Sequence, residues 1–263
     1  MKDISSWKEK FEICFYAKKL IDKLEYLNTK VKKPVDIEEI KKGIYYARKY
    51  HGLQMRQSGD PYYSHPIEVT IMLAEFVADE APKLFTSNMI NAALLHDTIE
   101  DTELTEEMIT EIFEIDVARH VEGLTRIKPY GKISAEESLN LLIKQKRYDT
   151  ALIKLFDRIH NVQTLGAKSP EKAKKIIEAT FKKFLVVAIH LECYEIEEKF
   201  NEICYRFLYK DKFSQQKQIS LFTMNNLLLF PAFENDLDQT YKLQVMESSQ
   251  QTNHIDPNIL LNI

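Results

Sequence analysis

Asn88-Met89-Ile90-Asn91-Ala92-Ala93-Leu94-Leu95-His96-Asp97-Thr98-Ile99-Glu100-Asp101 is the stretch whose reading decides the fold. Its first eight residues are almost wholly apolar and too rich in Ala and Leu for a strand, which predicts a buried helix over residues 88–101. On a helix, side chains three and four positions apart share a face. Glu100 is then expected over His96 and Asp97, and Asp101 over Asp97, so four ionisable groups gather at one end of an apolar rod. Buried without a counter-charge, such a group would neutralise or find a partner. A divalent cation is a natural partner, and imidazole with carboxylate suits manganese, iron, zinc or nickel better than magnesium alone.

A His-Asp pair cannot complete a site alone, and two other stretches supply candidates. His65 precedes Pro66, which fits the first turn of a helix and puts His65 at the N-cap. Asp157 lies in Leu155-Phe156-Asp157-Arg158-Ile159-His160-Asn161-Val162, a predicted helix with an apolar inward side. His65, His96, Asp97 and Asp157 together make a donor set of two nitrogens and two oxygens with room for water.

The rest of the chain reads as helices too. Trp7, Phe11, Cys14, Ile21 and Leu24 keep three-and-four spacing, predicting one amphipathic helix up to about Leu27. Asp36 caps a second helix running to about Tyr50, and Ser58-Gly59-Asp60-Pro61 is a turn. Thr105 followed by Glu106 and Glu107 starts another helix, with acids at the positive end of its dipole. Ser134–Lys146 and Asp149–Leu165 follow, and Ser169-Pro170-Glu171 opens a long helix that runs past His190. The expected organisation is an N-terminal helix over residues 1–34, a helical domain over 35–212, and a C-terminal tail over 213–263 of weak pattern, Ser, Gln and Asn being frequent after Met246.

Composition agrees. Of 263 residues 44% are hydrophobic and 29% charged, with only 6 glycines and 8 prolines, a balance that suits an all-α protein. A net charge of −4 gives no general attraction for nucleic acid or anionic membrane, though a local cation cluster is still free to hold a small polyphosphate. Three cysteines, Cys14, Cys193 and Cys204, form no C-x-x-C pair and read as free thiols of a reducing cytosol. The polar N-terminus has no signal-length apolar run, and the apolar stretch Leu227–Phe233 is too short to span a bilayer. A soluble, cytoplasmic protein is expected.

The ordered set His65-Pro66, His96-Asp97, Glu100-Asp101 and Asp157-Arg158-x-His160-Asn161 resembles the HD hydrolase domain of the RelA/SpoT-homologue family, over about residues 47–188. Those enzymes degrade guanosine tetra- and pentaphosphate. The resemblance implies a helical HD-domain bundle holding one manganese ion through His65, His96, Asp97 and Asp157. It also implies hydrolysis of the 3′-diphosphate to pyrophosphate and GDP or GTP. Glu100 and Asp101 correspond to the family's catalytic acid pair. Arg56-Gln57-Ser58 stands where its Arg-Lys-Ser flanks the guanine base, and Asn161 matches a residue near the nucleoside. The implied partner is a small guanosine polyphosphate. Bifunctional members continue into a synthetase domain, for which the weakly patterned tail is too short. A hydrolase-only protein, or the surviving fragment of a longer ancestor, is expected.

Departures from the pattern mark where to look. Gln57 replaces a Lys and removes a charge, and Phe156 replaces a small residue under Asp157. Glu122 and Arg126 are mild exchanges for Asp and Lys around Gly123-Leu124-Thr125. Glu114 stands where Gly is expected after Phe113, predicting strain of about 1 kcal/mol if the helix ends left-handed there. His51, His120, His160 and His190 are assigned to structure, His160 being the one close enough to Asp157 to back a ligand. Tyr62-Tyr63 reads as packing with one ring at a pocket rim, and the Lys-rich 168–183 as a solvated face. Competing readings are another HD enzyme acting on dNTPs, cyclic dinucleotides or nucleoside monophosphates, and a non-catalytic alarmone-binding fragment.

Overall fold

A computed structural model of the chain describes residues 6–208. The tail expected from residue 213, with Leu227–Phe233 and the Ser/Gln/Asn-rich end, lies outside the described residues.

The expected opening helix is two. Helix α1 (Trp7–Lys10) stops at Phe11, whose backbone is extended, and α2 (Phe15–Asn28) restarts after Cys14. The break is held from outside: Arg48 donates to the Glu12 carbonyl at 2.5 Å, and the Trp7 and Phe11 rings meet edge to face at 6.5 Å. Leu20 and Leu24 of α2 are fully buried, so this segment belongs to the common core. Helix α3 (Ile37–His51) begins as predicted, with the Asp36 carboxylate accepting from the Glu38 amide, and ends at Gly52, whose φ of +52° suits a residue without Cβ.

Helix α4 (Ser64–Asp79) is buried along most of its length, and α2, α5 (Ser87–Leu94) and α10 (Tyr148–Gln163) pack around it. Two corrections fall here. His65 is not the N-cap but the second residue of α4, because Tyr62 and Pro61 already turn the chain, their carbonyls accepting from the His65 and Ser64 amides at 3.0 Å. Pro66 is still tolerated, since the first turn's amides have no helical partners. The predicted helix 88–101 is broken after Leu94, and α6 (Thr98–Asp101) is a separate turn. Thr98 Oγ1 donates to the Leu95 carbonyl at 2.6 Å and His96 Nδ1 lies 2.7 Å from the Ala93 carbonyl, so side chains replace the missing backbone bonds.

Helices α7 (Glu106–Ile112) and α8 (Ile115–Leu124) meet at Glu114, which is extended at φ −114° and ψ 160°, so the predicted left-handed strain is absent. A small antiparallel hairpin follows, β1 (Ile127–Lys128) with β2 (Gly131–Lys132), unforeseen from the sequence. Ser134 and Glu137 form a reciprocal capping box at the head of α9 (Ala135–Lys144). The long helix expected from Ser169 is a run of α11 (Pro170–Ala179), a π-helical turn at Thr180–Leu185 and α12 (Val186–His190), which stops at His190 rather than passing it. Helix α13 (Tyr194–Leu208) packs on α10. The architecture is all-α apart from the hairpin.

Candidate active site

Three elements converge: the first turn of α4, the break between α5 and α6, and the middle of α10. His65 Nε2 lies 3.1 Å from Asp157 Oδ1 and 3.5 Å from Asp97 Oδ2. His96 Nε2 lies 3.2 Å from Asp97 Oδ2 and 3.8 Å from Asp157 Oδ1. Ligand atoms of His65, His96 and Asp157 all fall within 4.8 Å of one another. The four residues named from the sequence are thus brought together, through a kink rather than along one helical face.

The electrostatics are those of closely packed imidazoles and carboxylates. His96 Nδ1 donates to the Ala93 carbonyl, so loss of the second ring proton would come from Nε2 and leave a lone pair there. That atom is buried, with the Asp97 carboxylate its nearest charged neighbour at 3.2 Å. Burial lowers the His96 pKa, but Asp97 and Asp157 outweigh it and push the ring up to about 9. Burial raises the two acids in turn, yet His96 and His65 hold Asp97 well below the usual carboxylate range and Asp157 down at about 2. Ligand bonds of about 2.0–2.2 Å to one ion would separate neighbouring donors by roughly the spacings seen, so imidazole and carboxylate donors here fit a divalent transition metal.

Supporting contacts surround the cluster. His160, which the sequence left mainly structural, places its Nδ1 2.8 Å from His65 Nδ1; burial and His65 bring its pKa down to about 3, so the ring is neutral. Asn161 donates to Asp157 Oδ1 at 2.6 Å and so orients that acid, a contact beyond the nucleoside role implied for it. Asp157 pairs with neither Arg158 nor Arg147: Arg158 sits 3.9 Å over the Phe184 ring and 3.5 Å from Glu136, while Arg147 bonds the Arg119 carbonyl and faces Glu122. Phe156 does not crowd the acid but lies in the core against Phe76, with 5.5 Å between ring centroids.

Sequence reasoning gave Tyr62 too small a part. Its hydroxyl lies 3.0 Å from Asp97 Oδ2 and 2.8 Å from Asp101 Oδ2, and its ring stacks on His51 at 4.6 Å. Gln54 extends the array, touching His51 Nδ1 at 2.9 Å and donating to the Asp101 carbonyl at 2.9 Å. The one available signal was position, Tyr62 standing three residues ahead of His65 at a turn. Glu100 lines the same pocket as His96 and Asp97, and both its oxygens are taken by Arg126 and Lys132.

His65, His96, Asp97 and Asp157 face, with Tyr62, Glu100 and Asp101, a pocket of about 410 Å³. Arg56, Gln57, Ser58 and Asn161 line it, as do Lys154, Arg158 and Lys168. Arg56 donates to Thr164 Oγ1 at 3.2 Å, Ser58 is tied to Asp60 at 2.8 Å, and Lys154, nearly buried, donates to the Leu124 carbonyl at 2.9 Å. Lys168 therefore departs from the solvated face expected of 168–183. The pocket joins an acidic, imidazole-lined centre to a cationic wall.

Residues 43–192, more than half the chain, match the family model described as HD domain. The chain belongs to the HD-domain family. Its relatives among HD proteins are of the RelA/SpoT-homologue kind that the motif order pointed to. It is 32% identical over 231 residues to the Brucella ovis protein named GTP pyrophosphokinase rsh, covering 84% of this chain and 30% of that one. It is 36% identical over 197 residues to the Aquifex aeolicus guanosine-3′,5′-bis(diphosphate) 3′-pyrophosphohydrolase, covering 74% of this chain and 27% of that one. The chain spans under a third of the length of these relatives. A solved structure of a metazoan SpoT ortholog that hydrolyses ppGpp aligns with a TM-score of 0.47 at 24% identity, over 64% of this chain and 94% of that one. Among the described residues of this HD-domain chain, no helix is long and apolar enough to cross a membrane.

Proposed function

We propose that this HD domain is a metal-dependent phosphohydrolase that removes the 3′-diphosphate of guanosine tetra- or pentaphosphate. Water adds at the phosphorus, the bond to the 3′ oxygen breaks, and pyrophosphate leaves a free 3′-hydroxyl on GDP or GTP. The observation that carries the reading is the convergence of two imidazoles and two carboxylates in a pocket that Arg56, Lys154, Arg158 and Lys168 also line. His65, His96, Asp97 and Asp157 would hold one ion, for which manganese is the proposed identity. Such an ion supplies Lewis-acid polarisation of a phosphoryl oxygen and a lowered pKa for water.

The chain's own groups do the rest. Arg56, Lys154, Arg158 and Lys168 give the polyphosphate a wall of opposite charge. Gln57 and Ser58 stand at the same mouth as hydrogen-bonding partners for the nucleoside, and Asn161 keeps Asp157 in place. Glu100 and Asp101 are the acids available to take the proton of water and to return one to the leaving oxygen, a service worth about 10²–10⁴-fold. Free, buried thiols at Cys193 and Cys204 agree with a cytoplasmic setting.

The test is metal analysis with a turnover assay on guanosine tetraphosphate and several dNTPs. His96→Ala is expected to lose both metal and turnover, and Glu100→Ala to keep metal while losing most turnover. Turnover of dNTPs with the alarmone untouched would reject the substrate. Equal metal loss in both variants would reject the division between metal-holding groups and acid.

A further inference from the structure

Glu100 is an acid held by two cations, Arg126, which lines the pocket, and Lys132. Arg126 offers it three donors: the backbone amide and Nε, each 3.1 Å from Oε2, and Nη2 on Oε1. Lys132 Nζ adds a fourth at 2.9 Å from Oε1. A guanidinium fork with a backbone N–H and an ammonium is a set that grips a phosphoryl group, which has more charge and one more oxygen than a carboxylate. Two cations on one carboxylate leave a net positive charge unspent.

The setting favours exchange. Arg126 and Glu100 line the same pocket as His65, His96, Asp97 and Asp157. The Glu100 side chain is only 8% exposed while Lys132 is 57% exposed, so the cations are reachable and the acid is the inner member. Lys132 rides on β2, whose hairpin turns through Gly131 at φ +120° with Tyr130 standing out in solvent.

We propose that Glu100 holds the place of a phosphoryl group: Arg126 and Lys132 form a phosphate subsite, and an incoming polyphosphate exchanges with the carboxylate and frees it. This deepens the proposed function and rests on it for the identity of the natural ligand. Before exchange the acid is neutralised by its partners and is a poor proton acceptor. After exchange it stands beside an anion without its cations, a setting that favours proton uptake. Ligand binding then unmasks the acid that the reaction needs.

The test is calorimetric titration of the full, metal-free chain with inorganic pyrophosphate, metal being left out so that it does not complex the probe. Glu100→Gln is isosteric and removes the internal competitor, so it is expected to bind pyrophosphate about tenfold more tightly than the parent. That gain should disappear in Glu100→Gln/Arg126→Gln and in Glu100→Gln/Lys132→Ala; the second removes an exposed side chain and spares the fold. Unchanged or weaker binding by Glu100→Gln overturns the proposal. A gain that survives both double variants also overturns it, since removal of bulk charge then explains it. Turnover of guanosine tetraphosphate by the parent is measured alongside. The pyrophosphate pattern with an intact alarmone refutes the substrate and leaves the subsite standing; turnover without the pattern refutes the subsite alone.

Discussion

At the scale of single residues, the centre is a contest between a proton and a cation. In metal-free protein the His96 ring is held charged up to about pH 9 by Asp97 and Asp157, against an ordinary value of 6.5. A raised folded-state pKa contributes stability that is complete below about 6.5 and lost as pH rises through about 9. Metal uptake has the opposite sign, because the ion must expel that proton; its affinity should climb about tenfold per pH unit towards pH 9 and then level off. Metal titrations at pH 7, 8 and 9 check this, and a flat affinity would sink it. Tyr62 offers a second measurement. One hydroxyl hydrogen serves two carboxylates, so Tyr62→Phe should keep the metal while turnover number falls about tenfold, as Asp101 loses its tether. Loss of metal to the same extent would show that the hydroxyl supports Asp97 alone. Neither role was legible in the sequence: motif order names which residues carry chemistry, but a bond such as Tyr62–Asp101 spans 39 positions.

At the scale of elements, spacing was a good guide to where helices lie and a poor one to where they stop. Residues 88–94 formed the buried helix their apolar run predicts, yet 95–97 left it, because Thr98 and His96 bond to carbonyls one turn back and offer the backbone an alternative. The break at Phe11–Cys14 depends on an arginine from α3, which no local window contains. Glu100 likewise takes its hydrogen bonds from Arg126, 26 positions away. The α3–α5 contact supplies the prediction here. A Cβ on Gly43 would come within 2.1 Å of Asn91 Oδ1, and Asn91 is itself buried. Gly43→Ala is expected to cost about 1–3 kcal/mol through overpacking, read from the midpoint of urea unfolding. An unchanged midpoint would mean that α3 and α5 slide apart freely.

For the whole molecule, the all-α class followed from composition and periodicity, since few glycines and many charged helix formers left little else. The little hairpin escaped notice because two-residue strands carry no alternation to read. The proposed metal centre draws its residues from α4, the α5–α6 break and α10, so an ion that binds only the folded chain should raise the melting temperature. At 100 times its dissociation constant the gain is about 2.7 kcal/mol. Thermal melts with manganese and with a chelator test this; coincident curves would argue against a built site. The widened turn at Thr180–Leu185 has its own consequence. A π turn stores one residue more than an α-helix of the same length needs. Deleting a residue there would close residues 170–190 into a continuous α-helix with the phase of its two ends kept, and only the side chains inside the turn would be re-aimed. Phe184 is one of them, and it is the ring on which the Arg158 guanidinium rests at 3.9 Å. The footing of one pocket-lining cation thus depends on a local widening of the neighbouring helix.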